Sequence, residues 1–189
     1  MENKYIDQAM RSFELDMPNP NDTSMDGFLR EVILPKTRQW SEDLYEEDNY
    51  TSKPWMEIRD DVNFHDTVLH FFNPGGEYMK VTNGNISGGR WEFMESANKF
   101  ILQAGKSNAM YDLAYLDRNF FILKKHGDQR RLGQKEYWVM GWEPVVKRLD
   151  WRDSMELMYN QFRDNNNSYM SLALIIIVLI AIIVLFSIF

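Results

Sequence analysis

Short apolar runs of about six residues, each closed by turn residues, fill the middle of the chain. TVLHFF from Thr67 gives way to Asn73-Pro74-Gly75-Gly76, and EYMKVT to Asn83-Gly84-Asn85. RWEFM meets Glu95-Ser96-Ala97-Asn98, and KFILQA meets Gly105-Lys106-Ser107-Asn108. AMYDLAYL ends at Asp117-Arg118-Asn119, FFILKK follows, and a polar loop from His126 to Gln134 leads into EYWVMGW. A shorter strand is expected over Trp55–Ile58. Asn, Gly and Pro interrupt every run too soon for a helix. β-rich runs at this even spacing predict an all-β antiparallel meander over residues 41–145, able to close into a barrel or half-barrel.

The flanks follow a different period. Tyr5, Ile6, Ala9, Met10 and Phe13 fall at helical spacing, which Met17-Pro18-Asn19-Pro20 ends. Ser24 is placed to cap a second short helix carrying Phe28, Leu29, Val32 and Ile33, with Pro35 expected to stop it. Residues 1–40 therefore read as a helical arm. Beyond Pro144, Trp151, Met155, Met158 and Phe162 recur at i, i+4, i+7 and i+11, one face of a helix with Asp150 as N-cap. This amphipathic segment, within 146–167, either packs on the barrel or lies among lipid headgroups. Asn165, Asn166 and Asn167 then read as a flexible joint.

The last 20 residues, MSLALIIIVLIAIIVLFSIF from Met170, carry no charge. As a helix they would span roughly 30 Å, the thickness of a hydrocarbon core, so 168–189 is expected to cross a membrane. The first residues, MENKYIDQAMRSFELDMPNPND, are acidic and lack an apolar core, unlike a signal or transit peptide. The expectation is a tail-anchored, single-pass protein with its N-terminal domain in the cytosol, at the inner membrane if the host is bacterial. The four sequons, at Asn21, Asn49, Asn85 and Asn166, would then stay unused.

Composition sharpens this picture. With no cysteine among 189 residues, thiolate metal sites and disulfides are excluded. The net charge of −7 belongs to residues 1–60, which hold 14 acids and 7 bases. Its densest point, Glu42, Asp43, Glu46, Glu47 and Asp48, reads as a solvated face. A pI near 5.0 argues against nucleic acid.

Catalytic patterns are scarce. His65, His70 and His126 show no ligand spacing for zinc, and His65 and His70 are five apart, out of register for one face. Ser87 lies one position off a nucleophile elbow, and no phosphate-binding glycine loop occurs. Asp60, Asp61 and Asp66 around His65 are the best of the carboxylate groupings. No cofactor or metal is expected, and the chain reads as no enzyme. Lys124, Lys125, Arg130, Arg131 and Lys135 around one hairpin could face anionic lipid or an acidic partner. Trp91, Phe93, Tyr111 and Tyr115 are the large inward candidates for a core or ligand cavity. Gly89 is expected to let Trp91 pack over the backbone.

The succession Phe72-x-x-Gly75-Gly76-x-Tyr78, Gly89-x-Trp91, Ile101-Leu102, Tyr111-x-Leu113-x-x-Leu116 and Phe121-x-Leu123 resembles the small lipocalin-like proteins of Bacteroidetes, over about residues 55–142. The usual member begins with an export signal or lipidation cysteine, whereas the anchor here is at the other end. The resemblance implies a calycin-type barrel and supplies no enzyme activity. The leading functional expectation is a non-enzymatic, membrane-tethered interaction module, an accessory or structural subunit of a membrane complex. The alternative is a tethered carrier or sensor of a small apolar ligand.

Overall fold

The computed structural model describes residues 24–129 and 131–188, without the side chains of 164–170, 181 and 185–188. The arm helix expected around Tyr5–Phe13 lies outside the described residues. The chain divides into two compact units, 19–155 and 156–189 with 1–18.

The first unit is a closed barrel of eight strands: β1 (Trp55–Ile58), β2 (Val68–Asn73), β3 (Glu77–Thr82), β4 (Asn85–Met94), β5 (Lys99–Ala104), β6 (Ser107–Leu116), β7 (Phe120–Lys125) and β8 (Tyr137–Trp142). Each strand pairs antiparallel with the next, and β8 returns to β1, so every expected run is a strand and the barrel is complete. Full closure leaves no unpaired edge. Gly75 and Gly76, both at φ +83°, make the β2–β3 turn that a side chain would strain. The seams are unequal. β1 and β8 share four residue pairs, but β1 and β2 share two, Trp55↔His70 and Met56↔Leu69.

Alternation sends one side of each strand inward. Trp55, Phe72, Tyr78, Trp91, Phe100, Leu102, Leu116, Phe121, Leu123 and Met140 form the core, with Phe93, Tyr111, Trp138 and Trp142 packed against it. Rings dominate its packing. Trp91 stacks on Phe100 at 5.6 Å between centroids, and Phe72 meets Phe100 edge-on at 5.2 Å. The polar stretch before β1 adds Leu44 and Tyr50, both fully buried. There the Tyr50 hydroxyl donates to the Leu44 carbonyl, and the Trp55 indole donates to the Tyr50 carbonyl.

Two inward expectations change. The β6–β7 register shifts between Leu113 and Tyr115, so Leu113 and Leu116 both belong to the core side. Tyr115, though buried, is outside that core, and its hydroxyl donates to Asp117 at 3.0 Å. The ring lying over Gly89 is that of its register partner Tyr78 rather than Trp91. A Cβ on Gly89 would collide with the Gln103 carbonyl.

The helical segment before the barrel runs further than expected. Ser24 caps α1 (Met25–Phe28), its Oγ accepting from the Gly27 N–H at 3.2 Å. Pro35 does not end the helix, which continues as α2 (Leu34–Thr37). A widened turn over Leu29–Ile33, closed by the Leu34 N–H on the Leu29 carbonyl, precedes the proline. Pro35 has no N–H to give and crowds the carbonyl four back, and a widened turn ahead of it accommodates both. Met25, Phe28, Leu29, Ile33 and Thr37 are its buried face.

After α3 (Glu143–Val146), helix α4 runs over Trp151–Ile188. Asp150 caps it, accepting the Asp153 N–H at 2.8 Å. Trp151 and Met155 in the first unit, and Met158 and Phe162 in the second, are all buried, as their spacing requires. The backbone is helical through Asn165, Asn166 and Asn167, where a joint was expected. Three consecutive Asn lower helix propensity by only a few tenths of a kcal/mol each, which the long helix around them absorbs. Beyond them the described apolar side chains from Leu172 to Val184 are all exposed. Among the described residues no helix is long and apolar enough to cross a membrane. The described side chains of that stretch cover 171–180 and 182–184.

Candidate functional site

One end of the barrel interior is polar. Glu57 follows Trp55 on the inward face of β1, and His70 sits between Val68 and Phe72 on that of β2. Tyr78 and Lys80 share the corresponding face of β3, opposite Phe72 and His70. His70 is 2% exposed. Its Nδ1 lies 2.7 Å from the Tyr78 hydroxyl and its Nε2 lies 3.0 Å from Glu57 Oε2. The other Glu57 oxygen accepts from Arg59 at 2.6 Å. The bonds assign the tautomer. Glu57 is acceptor-only, so Nε2 carries the proton, and Nδ1 accepts from Tyr78. The Glu57–His70 bond crosses the seam where the β1–β2 ladder has already ended.

Electrostatics agree with that assignment. Burial, helped by the positive charges of Lys80 and Arg59, lowers the His70 pKa despite the pull of Glu57, keeping the imidazole neutral. Burial also acts to raise the Glu57 carboxyl, but hydrogen bonds from His70 and Arg59 outweigh it and hold the group low and ionised. Burial pushes the Tyr78 phenol far up, so it remains a donor. The relay therefore runs Tyr78 to His70 to Glu57, closed by Arg59.

The same end opens to a cavity of about 330 Å³. Glu57, Arg59, Tyr111, Lys125 and Trp138 line its inner side, and Asp60, Asp61, Lys135 and Tyr137 its outer rim. The Trp138 ring meets His70 edge-on at 4.8 Å and Tyr111 at 5.4 Å. Asp60 holds the rim, accepting from the Met25 N–H at 2.8 Å and pairing with Lys135. Asp26 accepts the Glu136 N–H, and Glu136 pairs with Arg30 and Lys124, both at 3.0 Å.

These contacts redistribute the expected basic patch. Lys124 and Lys135 are bound to Glu136 and Asp60, Arg131 is exposed, and Arg130 lies outside the described residues. Lys125 alternates to the inner side, opposite Tyr111. The His65 grouping does not assemble. His65 is exposed, Asp66 accepts from Asn83 at 2.6 Å, and Asp60 is committed to Lys135. Of the four aromatic candidates, Trp91 is in the core, Phe93 and Tyr111 pack against it, and Tyr115 lies outside it. By sequence, His70 figures only as a metal ligand and Tyr78 only in the family motif, while Glu57, Arg59 and Lys80 are not singled out. Their signal was the alternation Trp55-x-Glu57-x-Arg59 and Val68-x-His70-x-Phe72, which puts polar groups at inward positions.

The sequence matches no family model, and neither a curated protein nor a solved structure matches it.

Proposed function

We propose that this chain is a non-enzymatic, membrane-tethered interaction module that serves as an accessory or structural subunit of a membrane complex. The observation that carries the reading is α4 beyond Ser171. Leu174, Ile175, Ile176 and Ile177 occupy four successive directions around the helix and are 65%, 55%, 48% and 65% exposed. An α-helix apolar all round is a helix for lipid or for a surrounding partner. Residues 170–189 supply the span, and the barrel faces the cytosol.

Alkaline carbonate extraction of membranes holding the full chain tests the tether. The chain should stay in the pellet, and Ile177→Arg with Ile180→Arg should release it, each arginine costing about 2.5–3.5 kcal/mol at a helix centre. Release of the unaltered chain counts against insertion. Asn85, exposed at a hairpin tip, reports the side; glycan there would place the barrel in the lumen. Co-purification in mild detergent with mass spectrometry tests the complex, and a clean monomer would remove its support.

The second reading is a lipocalin-like carrier. An eight-stranded meander closed from β1 to β8 is the architecture of up-and-down ligand barrels, and that supports the family resemblance. With the centre filled by rings, the space this reading calls on is the cavity of about 330 Å³ at the polar end.

A further inference from the structure

We propose that the polar end of the barrel binds a small dianionic oxyanion, a phosphomonoester carried on a planar or apolar body. The charges facing inward there are Glu57 on β1, Arg59 just beyond it, Lys80 on β3 and Lys125 on β7. Arg59 is spent on Glu57, and its guanidinium lies over the Phe64 ring at 4.3 Å. The three acids at the cavity each have a cationic neighbour: Glu57 has Arg59, and Asp60 and Asp61 have Lys135. Lys80 and Lys125 have no ion-pair partner among the described residues, and Lys125 makes one long bond of 3.4 Å to the Gln134 amide. Lys125 lines the cavity and Lys80 faces the same interior from β3, opposite His70, both half-buried in a protein of net charge −7.

Neutral donors accompany them. The Tyr111 hydroxyl and the Trp138 indole N–H have no hydrogen-bond partner among the described residues, although both side chains line the cavity. Contacts link the group: Lys80 is opposite His70, His70 touches Trp138, Trp138 touches Tyr111, and Tyr111 is opposite Lys125. Two ammonium groups match two negative charges, and the phosphoryl oxygens accept from Tyr111 and Trp138. The rings of Tyr111, Tyr137 and Trp138 give the remainder of the molecule an apolar wall. A space of about 330 Å³ is at the small end of ligand sites. This site stands independently of the membrane tether.

Phenyl phosphate, titrated into the full ¹⁵N-labelled chain in detergent, tests the proposal by NMR. The Trp138 indole resonance, assigned through Trp138→Phe, should shift saturably. Lys80→Met and Lys125→Met should each raise the dissociation constant about tenfold, as expected for losing one charge-assisted bond. Lys125→Arg should retain binding, which separates charge recognition from a packing defect. Inorganic phosphate should act weakly on the same resonance, showing that the head group is what is read. The proposal is overturned if phenyl phosphate leaves Trp138 unmoved, if phenol moves it equally, or if folded Lys→Met variants bind like the parent.

Discussion

Replacing Tyr78 by Phe tests the buried relay with the least disturbance. The ring stays where it is, against Phe72 at 5.5 Å and over Gly89. Only the hydroxyl that donates to His70 Nδ1 across 2.7 Å is lost. His70 is 2% exposed, so its Nδ1 lone pair is left without water or another donor. An unsatisfied buried acceptor costs about 1–3 kcal/mol. At roughly 2–4 °C per kcal/mol for a chain of this size, Tm should fall by roughly 2–12 °C. Thermal unfolding followed by near-ultraviolet circular dichroism at pH 8, where His70 is neutral, reads that fall directly. Tyr115→Phe is the comparison, because it removes a hydroxyl bonded to Asp117 and leaves His70 untouched. A Tyr78→Phe protein as stable as its parent at pH 8 would refute the buried Tyr78–His70 hydrogen bond itself, since either tautomer would be left with an unsatisfied Nδ1.

Two further outcomes follow from the same region. The His70 pKa is lowered on folding, so below about pH 6.5 the unfolded chain binds a proton that the folded one refuses, and stability falls as pH drops. Glu57, depressed below its ordinary 4.5, adds a second loss once pH passes below that value, in the same direction. Denaturation from pH 8 to 5 should show the first loss in the parent and not in a folded His70→Gln variant; equal slopes would count against it. Gly89→Ala should destabilise by about 1–3 kcal/mol through overpacking against the Gln103 carbonyl and the Tyr78 ring. A neutral result there would mean that β4 and β5 shift apart easily.

The strands were legible because their signal is local. Asn, Gly and Pro mark the turns and two-residue alternation marks the faces, so Glu77–Thr82, Lys99–Ala104 and Phe120–Lys125 match expectation residue for residue. Leu44 and Tyr50 were illegible. They sit alone in a polar stretch, and only the closed barrel brings Trp91, Phe100 and Phe121 around Tyr50. Pro35 misled because a widened turn, invisible to residue spacing, absorbs it. Tyr115 misled because a bulge inverts the alternation that placed Tyr111 correctly. The polar end was half visible, since His70 and Glu57 occupy inward positions of their own strands. Their meeting depends on how β1 lies across β2, which no local pattern encodes.

The clasp made by Asp26, Arg30, Asp60, Lys135 and Glu136 joins α1 and the widened turn after it to the residues just past β1 and just before β8. It therefore imposes an order of events. Trp55 finds its partner Trp142 only after every intervening hairpin has emerged, and residues 25–30 wait for both sides of the junction. Pairing this distant in sequence closes slowly, because its loop entropy is spent before any contact returns it. Until then the two outer strands are bare, and a second unfinished chain could occupy either of them. The clasp ends that interval, so weakening it should raise aggregation during synthesis more than it lowers the stability of the finished barrel.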